Sequence, residues 1–266
     1  MRTTLLAALA LLSLCACSRK PRPTHVVSVV DTGPVIMVSG VFGLTGPSTS
    51  AFSASQSYSG VRRGRCLRLP SARQVMGDPE TMRAVAAARA PGSFRDAGEL
   101  IVRDDRGPEL AVIRPMFHGL YMGVIQRSDV RRIRVRVTGG DGIGAHEFDS
   151  IPLNPAGNPV RITAPPAGFS ARRGAPLRIA WAGAGYRDAF LTLSLMPSSV
   201  NDVRGIVCRL DYGRGSLTLS GADLDLPGTT GPIVFSAQLT TMTSSVEGPW
   251  VLNAMTSGAP LTGTLR

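Results

Sequence analysis

The sequence predicts a mainly β protein built from two sandwich-like domains. Its 30 glycines and 20 prolines are spread along the chain and punctuate short apolar runs, which is how turn residues separate strands. Several of those runs alternate apolar and polar residues with a period of two. Helix-favouring composition is confined to one short stretch. With 43% hydrophobic residues the chain has the apolar content of an ordinary globular protein, so a packed core is expected.

In the first half the strand candidates are Val35–Phe42, Leu100–Val102, Leu110–Arg114, Leu120–Gln126 and Arg132–Val137. The clearest is Arg132-Ile133-Arg134-Val135-Arg136-Val137. Successive side chains of a strand point to opposite faces, so its three arginines share one side and its three β-branched residues the other. A strand of this kind covers a core on one face only, as in antiparallel sheets. The helical exception starts at Asp78-Pro79-Glu80: an N-cap aspartate, a proline at the first helical position and an acid in the first turn. Thr81 to Ala90 follows, with Met82, Val85 and Ala86 on one face, and Pro91-Gly92 ends it.

Pro152, Pro155, Pro159, Pro165 and Pro166 mark a joint, with Val160–Thr163 a short strand inside it. Beyond the joint come Leu177–Trp181, Ala189–Leu195, Gly205–Leu210, Ser216–Leu219, Ile233–Leu239, Pro249–Ala254 and Leu261–Leu265. They are separated by Gly183-Ala184-Gly185, Asn201-Asp202, Tyr212-Gly213, Pro227-Gly228 and Ser257-Gly258. That number and spacing fit an immunoglobulin-like or fibronectin-III-like sandwich. Trp181 and Trp250 are expected as core aromatics. The expected organisation is a signal peptide (1–16), a lipidated flexible tether (17–32), an N-terminal β-rich domain (33–155), a Pro-rich linker (156–168) and a C-terminal β-sandwich (169–266).

The N-terminus carries the most specific motif. Arg2 is its only charge before the cleavage region, and Leu5 to Leu14 is an uncharged run, apolar except for Ser13. These are the n- and h-regions of a secretory signal peptide. The run is about half the ~20 residues that cross a bilayer as a helix. It ends in Leu14-Cys15-Ala16-Cys17, which resembles the lipobox of bacterial lipoproteins. The resemblance implies cleavage between Ala16 and Cys17 and attachment of lipid to Cys17. Cys15 fits less well, because bulky Leu14 precedes it where the peptidase wants a small side chain. Ser18, rather than Asp, follows the modified cysteine, and in Gram-negative lipoproteins this favours the outer membrane over the inner. The C-terminal half also resembles, loosely, uncharacterised secreted β-rich proteins of high-GC Gram-negative bacteria. That likeness rests on Ile179-Ala180-Trp181, Val207-Cys208 and Gly215-Ser216-Leu217-Thr218-Leu219, and it brings no assigned activity.

The formal charge is +11, almost all of it arginine, with Lys20 the sole lysine. Such a bias, beside abundant Ala, Gly and Pro, follows from high-GC codon usage and is discounted as a sign of purpose. Nucleic acid is excluded as a partner: aromatics make up 5% of the chain, too few for base stacking, and the export signal argues against it. Arg132, Arg134 and Arg136, with Arg131 and with Arg62, Arg63, Arg65 and Arg68, are candidates for a face that contacts anionic glycan or phosphate. The competing reading is a solvated strand face. Once Cys15 is removed and Cys17 lipidated, Cys66 and Cys208 remain. Export to an oxidising space permits a disulfide. Their placement in different halves favours two buried free thiols instead.

No G-x-S-x-G elbow is present for a serine hydrolase. His146-Glu147 opens like a zinc motif, but the second His is missing and the local alternation is that of a strand. No metal or cofactor is expected. Gly139–Gly144, followed by Glu147 and Asp149, has the ingredients of a calcium loop, but a tight turn is the preferred role for its glycines. A glycosidase pair could be drawn from Glu99, Asp104, Asp105, Glu109, Asp141, Glu147 and Asp149. The resulting expectation is a lipid-anchored protein of the cell envelope. Its leading role is non-catalytic, binding or structural, toward the membrane and an anionic glycan or another envelope protein. The alternative is an envelope hydrolase of glycan or cell-wall material.

Overall fold

The computed structural model describes residues 24–44, 61–69, 94–117, 119–126, 129–153, 160–183, 185, 188–197, 204–225 and 231–266. The signal peptide, Cys17 and the helix expected from Asp78 to Ala90 lie outside the described residues. The described chain is dominated by strands. In the first half they are β1 (Thr24–Asp31), β2 (Val35–Leu44), β3 (Arg65–Arg68), β4 (Leu100–Asp104), β5 (Glu109–Ile113), β6 (Pro115–Phe117), β7 (Leu120–Gln126), β8 (Arg132–Val137) and β9 (His146–Pro152). The second half contributes β10 (Arg161–Ala164), β11 (Phe169–Ala171), β12 (Leu177–Ala182), β13 (Asp188–Pro197), β14 (Arg204–Asp211), β15 (Ser216–Leu219), β16 (Ile233–Glu247), β17 (Trp250–Ser257) and β18 (Leu261–Leu265). A 3-10 turn at Tyr212–Arg214 follows β14, and a one-turn helix, α1 (Gly221–Leu224), is closed by a capping box between Ser220 and Asp223. No helix among the described residues is long and apolar enough to cross a membrane.

One 11-stranded sheet runs the length of the molecule in the order β3-β14-β13-β16-β17-β1-β2-β7-β6, with β18 and β11 branching from β16. Two smaller sheets complete it: β5-β4-β8-β9 and β10-β12-β15. The first closes a sandwich over β17, β1, β2 and β7. Its core holds Phe42, Leu100, Tyr121, Ile133 and Val135, all without solvent exposure. The alternation in β8 is as strict as its sequence: Ile133, Val135 and Val137 are buried and the three arginines exposed.

The second small sheet faces β14-β13-β16-β18-β11 across a core of Ile179, Leu191, Leu193, Phe235 and Leu239. The first and third strands of this half, β10 and β12, share a sheet with β15, and the others form the opposite layer. That is the arrangement of an immunoglobulin- or fibronectin-III-type sandwich. Pro165 and Pro166 end β10, and β11 then pairs in parallel with β18 on the other sheet. Both cores lie on the same face of the long sheet. Ala254 of β17 belongs to the first core, and Thr256, two residues on, pairs with Thr241, which shares its side of β16 with Leu239 of the second.

Two strands leave the half of the chain they belong to. β17 pairs with β1 in parallel from His25–Trp250 to Asp31–Thr256, so a C-terminal strand completes the N-terminal sandwich. β3 pairs with β14, so an N-terminal strand edges the C-terminal one. The tether expected over residues 17–32 needs correction, because Thr24–Asp31 is an interior strand with buried His25, Val26, Val27, Val29 and Asp31. The reason is visible in His25-Val26-Val27-Ser28-Val29-Val30: β-branched residues favour the pleated sheet, and the prolines at 21 and 23 end before it. The free-thiol reading of Cys66 and Cys208 is also corrected. The two residues face each other in the β3–β14 register and form a disulfide.

Candidate functional site

Two constellations of polar side chains stand out. The first surrounds Trp250, in the N-terminal sandwich beside the β16–β17 turn. Trp250 comes from β17, His25 from β1 and His146 from β9. The His146 ring stacks on the indole at 4.6 Å and 10°, and His25 lies 4.6 Å away on a tilt. Phe42 and Phe148 approach edge-on at about 6 Å, the geometry that ring quadrupoles favour. The His25 Nδ1 accepts a hydrogen bond from the Gly43 N–H at 3.1 Å, so that nitrogen is unprotonated. Burial, then the charge of Arg95 and the nearby His146, lowers the pKa of His25 below its ordinary value. His146 Nε2 lies 3.3 Å from the Glu247 carboxylate at the β16–β17 turn. The geometry of this contact is not that of a hydrogen bond. The aromatic rings of this group pack together against the N-terminal core.

Beside this cluster, Tyr121 pins the segment Asp96–Gly98, which lies against the glycine-rich loop. Its hydroxyl donates to Asp96 Oδ1 at 2.6 Å and accepts from the Ala97 N–H at 2.9 Å. Burial and the hydrogen bond to Asp96 push its pKa up. Asp141 accepts from the Asp96 N–H. A Cβ on Gly98 would lie 2.2 Å from Thr138 Oγ1, and one on Gly140 3.1 Å from Asp96 O. These glycines are there so that two loops can touch. Among the described residues no group of three His, Cys, Asp or Glu side chains is placed to hold a metal ion.

Most of the sequence-predicted carboxylates are engaged by arginines, two of them by the same one. Glu99 pairs with Arg114, Glu109 with Arg103, and Asp105 and Asp149 with Arg134. Asp104 caps its own turn by accepting from the Arg106 N–H. Arg132 is turned onto Ser150, donating to its Oγ at 2.6 Å and its carbonyl at 2.7 Å. Arg136 stands across from Glu147 in the β8–β9 register. The outer face of β8 therefore mixes both signs of charge. Arg62, Arg63, Arg65 and Arg68 are not its continuation. They lie on β3 and the turn before it, on a different sheet.

That turn forms the second constellation. Gly64 N–H donates to Arg209 O and Arg65 N–H to Arg62 O, which sets the turn against β14. The side chains of Arg63 and Arg209 both reach Asp188 Oδ1, at 3.0 and 3.1 Å. Burial alone would raise the pKa of Asp188. The hydrogen bonds and charges of Arg209 and Arg63 outweigh it and hold the carboxyl below its usual range. Arg65 lies directly opposite Arg209 in the register. Neither constellation was legible from spacing in the sequence. The signal that could have revealed the second is the cysteine pair: joining Cys66 to Cys208 fixes the register and places Arg65 across from Arg209.

The fold and these sites define a double β-sandwich with one shared sheet, cross-linked at its C-terminal edge. No protein-family model matches the chain, and no curated protein matches it. Among solved structures it is similar to the fibronectin(III)-like modules of Clostridium thermocellum CbhA, at 9% identity and a TM-score of 0.24, over 91% of this chain and 92% of that one. It is also similar to a chimeric titin Z1Z2 functionalized with a KLER exogenous peptide from decorin, at 12% identity and a TM-score of 0.21, over 93% and 98%. At TM-scores this low neither likeness carries an argument, and the fold stands on its own strand pairing.

Proposed function

We propose that the chain is a lipid-anchored protein of the bacterial cell envelope, held at the outer membrane through Cys17, whose double sandwich serves as a non-catalytic binding or structural module. The observation that carries the reading is the Leu14-Cys15-Ala16-Cys17 motif after its apolar run. Two features of the folded body support it. β1 begins at Thr24, so the residues from Cys17 to the body span at most about 25 Å. A lipid there would keep the N-terminal sandwich beside the headgroups, with Arg19, Lys20 and Arg22 between them. The Cys66–Cys208 disulfide suits an exported protein, since such bonds persist in oxidising compartments. A binding or structural role fits a body in which Glu99, Glu109, Asp105 and Asp149 are neutralised by arginines.

The test is Cys17→Ser, with palmitate labelling and membrane fractionation in a Gram-negative host. The expected result is a labelled, membrane-bound wild type and an unlabelled, soluble variant. Label that survives the substitution would overturn the assignment.

A further inference from the structure

We propose that the outer face of the β3–β14 edge is a binding site for a phosphate-type oxyanion, built from Arg63, Arg65 and Arg209. The first observation is the Arg65–Arg209 pair, two arginines directly opposite each other in the register of neighbouring strands. Like charges in that position repel and destabilise a sheet. The second is the shortage of counter-charge. Arg63 and Arg209 share a single carboxylate, Asp188, while Asp211, its cross-strand neighbour, is engaged by Arg214 at 3.7 Å. Among the described residues Arg65 has no acidic partner. The third is an orphan: Arg209 Nε is shielded from solvent and donates to nothing. Its guanidinium is meanwhile held over the Phe190 ring at 6.0 Å. A shielded N–H without a partner calls for an explanation.

A tetrahedral oxyanion answers the first two directly: it would separate Arg65 from Arg209 and offset the charge that Asp188 leaves over. Reaching the orphan N–H, which is shielded in the unliganded chain, takes a shift of the Arg209 side chain. Guanidinium groups suit this ligand because their planar fork matches phosphate oxygens. The scaffold is fixed on both sides, by the Gly64–Arg209 backbone bond and by the disulfide on the opposite face of the same two strands. The oxyanion could come from a phosphorylated solute or from a phospholipid headgroup.

The test titrates the purified full chain with methyl phosphate at constant ionic strength, following thermal stability. A parallel arm compares sedimentation with vesicles of phosphatidylglycerol and of phosphatidylcholine. Arg65→Ala removes an exposed side chain and keeps the sheet. Arg134→Ala serves as a control for general charge. Saturable stabilisation by methyl phosphate is expected, with affinity about tenfold weaker in Arg65→Ala, as for one lost charge-assisted hydrogen bond, and unchanged in Arg134→Ala. A preference for phosphatidylglycerol that disappears in Arg65→Ala would assign the headgroup as the source, and its absence beside solute binding would assign a soluble phosphate. Stability that ignores methyl phosphate while Arg65→Ala raises it through relieved repulsion would overturn the site, whatever the fate of Cys17.

Discussion

At the scale of single residues the end of the N-terminal sandwich around Trp250 depends on the protonation of His25. Its Nδ1 must stay bare to accept the Gly43 N–H. The groups facing it are Arg95, His146 and, beyond His146, Glu247. In the unfolded chain the imidazole takes up its proton near pH 6.5, and in the folded chain only at a lower pH. Between those values the unfolded state binds more protons, so acid favours it. Stability is therefore full above about pH 6.5 and falls as the pH drops toward the folded value. His25→Asn keeps an acceptor near the Nδ1 position but cannot titrate. Urea unfolding at pH 7.5 and 5.5 should show a smaller pH dependence in the variant. At pH 7.5 the variant should lose ~1–3 kcal/mol from the missing ring contacts. Equal pH dependence in both proteins would remove His25 from the account. Trp250 links this residue to the larger scale, because it sits between His25 and His146 while belonging to a strand from the other half of the chain.

At the scale of elements, β3 is the instructive case. It is four residues long, mostly exposed, and sits at the end of the long sheet. An edge strand this short gains little from its own ladder, and Cys66 fastens it to β14. The cross-link closes a loop of 142 residues. In the chain-entropy model a loop that long stabilises by on the order of 5 kcal/mol, with engineered and native cases running from ~2 to 5. Reductant should lower the urea midpoint of the wild type to that of a Cys66→Ser, Cys208→Ser double variant, and leave the double variant unmoved. A wild type indifferent to reductant would show that the bond contributes nothing to folding. Most strands were legible because they obey one local rule: Ile133, Val135 and Val137 inward, arginines outward, or Leu191, Leu193 and Leu195 alternating along β13. What escaped was set by distant partners. Nothing local in Thr24–Asp31 says that its neighbour is β17, and Arg65-Cys66-Leu67-Arg68 reads as a strand without saying whose. For the same reason the Arg63–Asp188–Arg209 and His25–Trp250–His146 groups were invisible, since each joins residues that meet only through those long-range pairings.

At the scale of the whole molecule, the exchange of β3 and β17 makes the two sandwiches interdependent. The N-terminal core contains Trp250 and Ala254, and the long sheet passes through β16 and β17 without interruption. Where β16 leaves one core and enters the neighbourhood of the other, the buried side chains turn polar: Asp31, Thr241 and Thr256 stand in one row across the sheet. Such a row breaks the apolar contact between the cores but not the backbone ladder, so coupling must travel through β1 and β17. Parallel pairing over the whole length of β1, with the indole clasp at one end, is enough for the halves to unfold together. The two tryptophans report separately on the two cores, Trp181 on the C-terminal and Trp250 on the N-terminal. In the Trp181→Phe variant the fluorescence of Trp250 should follow the same urea transition as far-UV circular dichroism, the signature of one cooperative unit. Residues 24–153 expressed alone would lack β17, leave the edge of β1 and the pocket of Trp250 open, and bind a hydrophobic dye. Addition of residues 160–266 should suppress that dye binding. If residues 24–153 instead fold alone with a sharp transition of their own, β17 is an ornament on a self-sufficient domain, and the shared sheet does not couple the two halves.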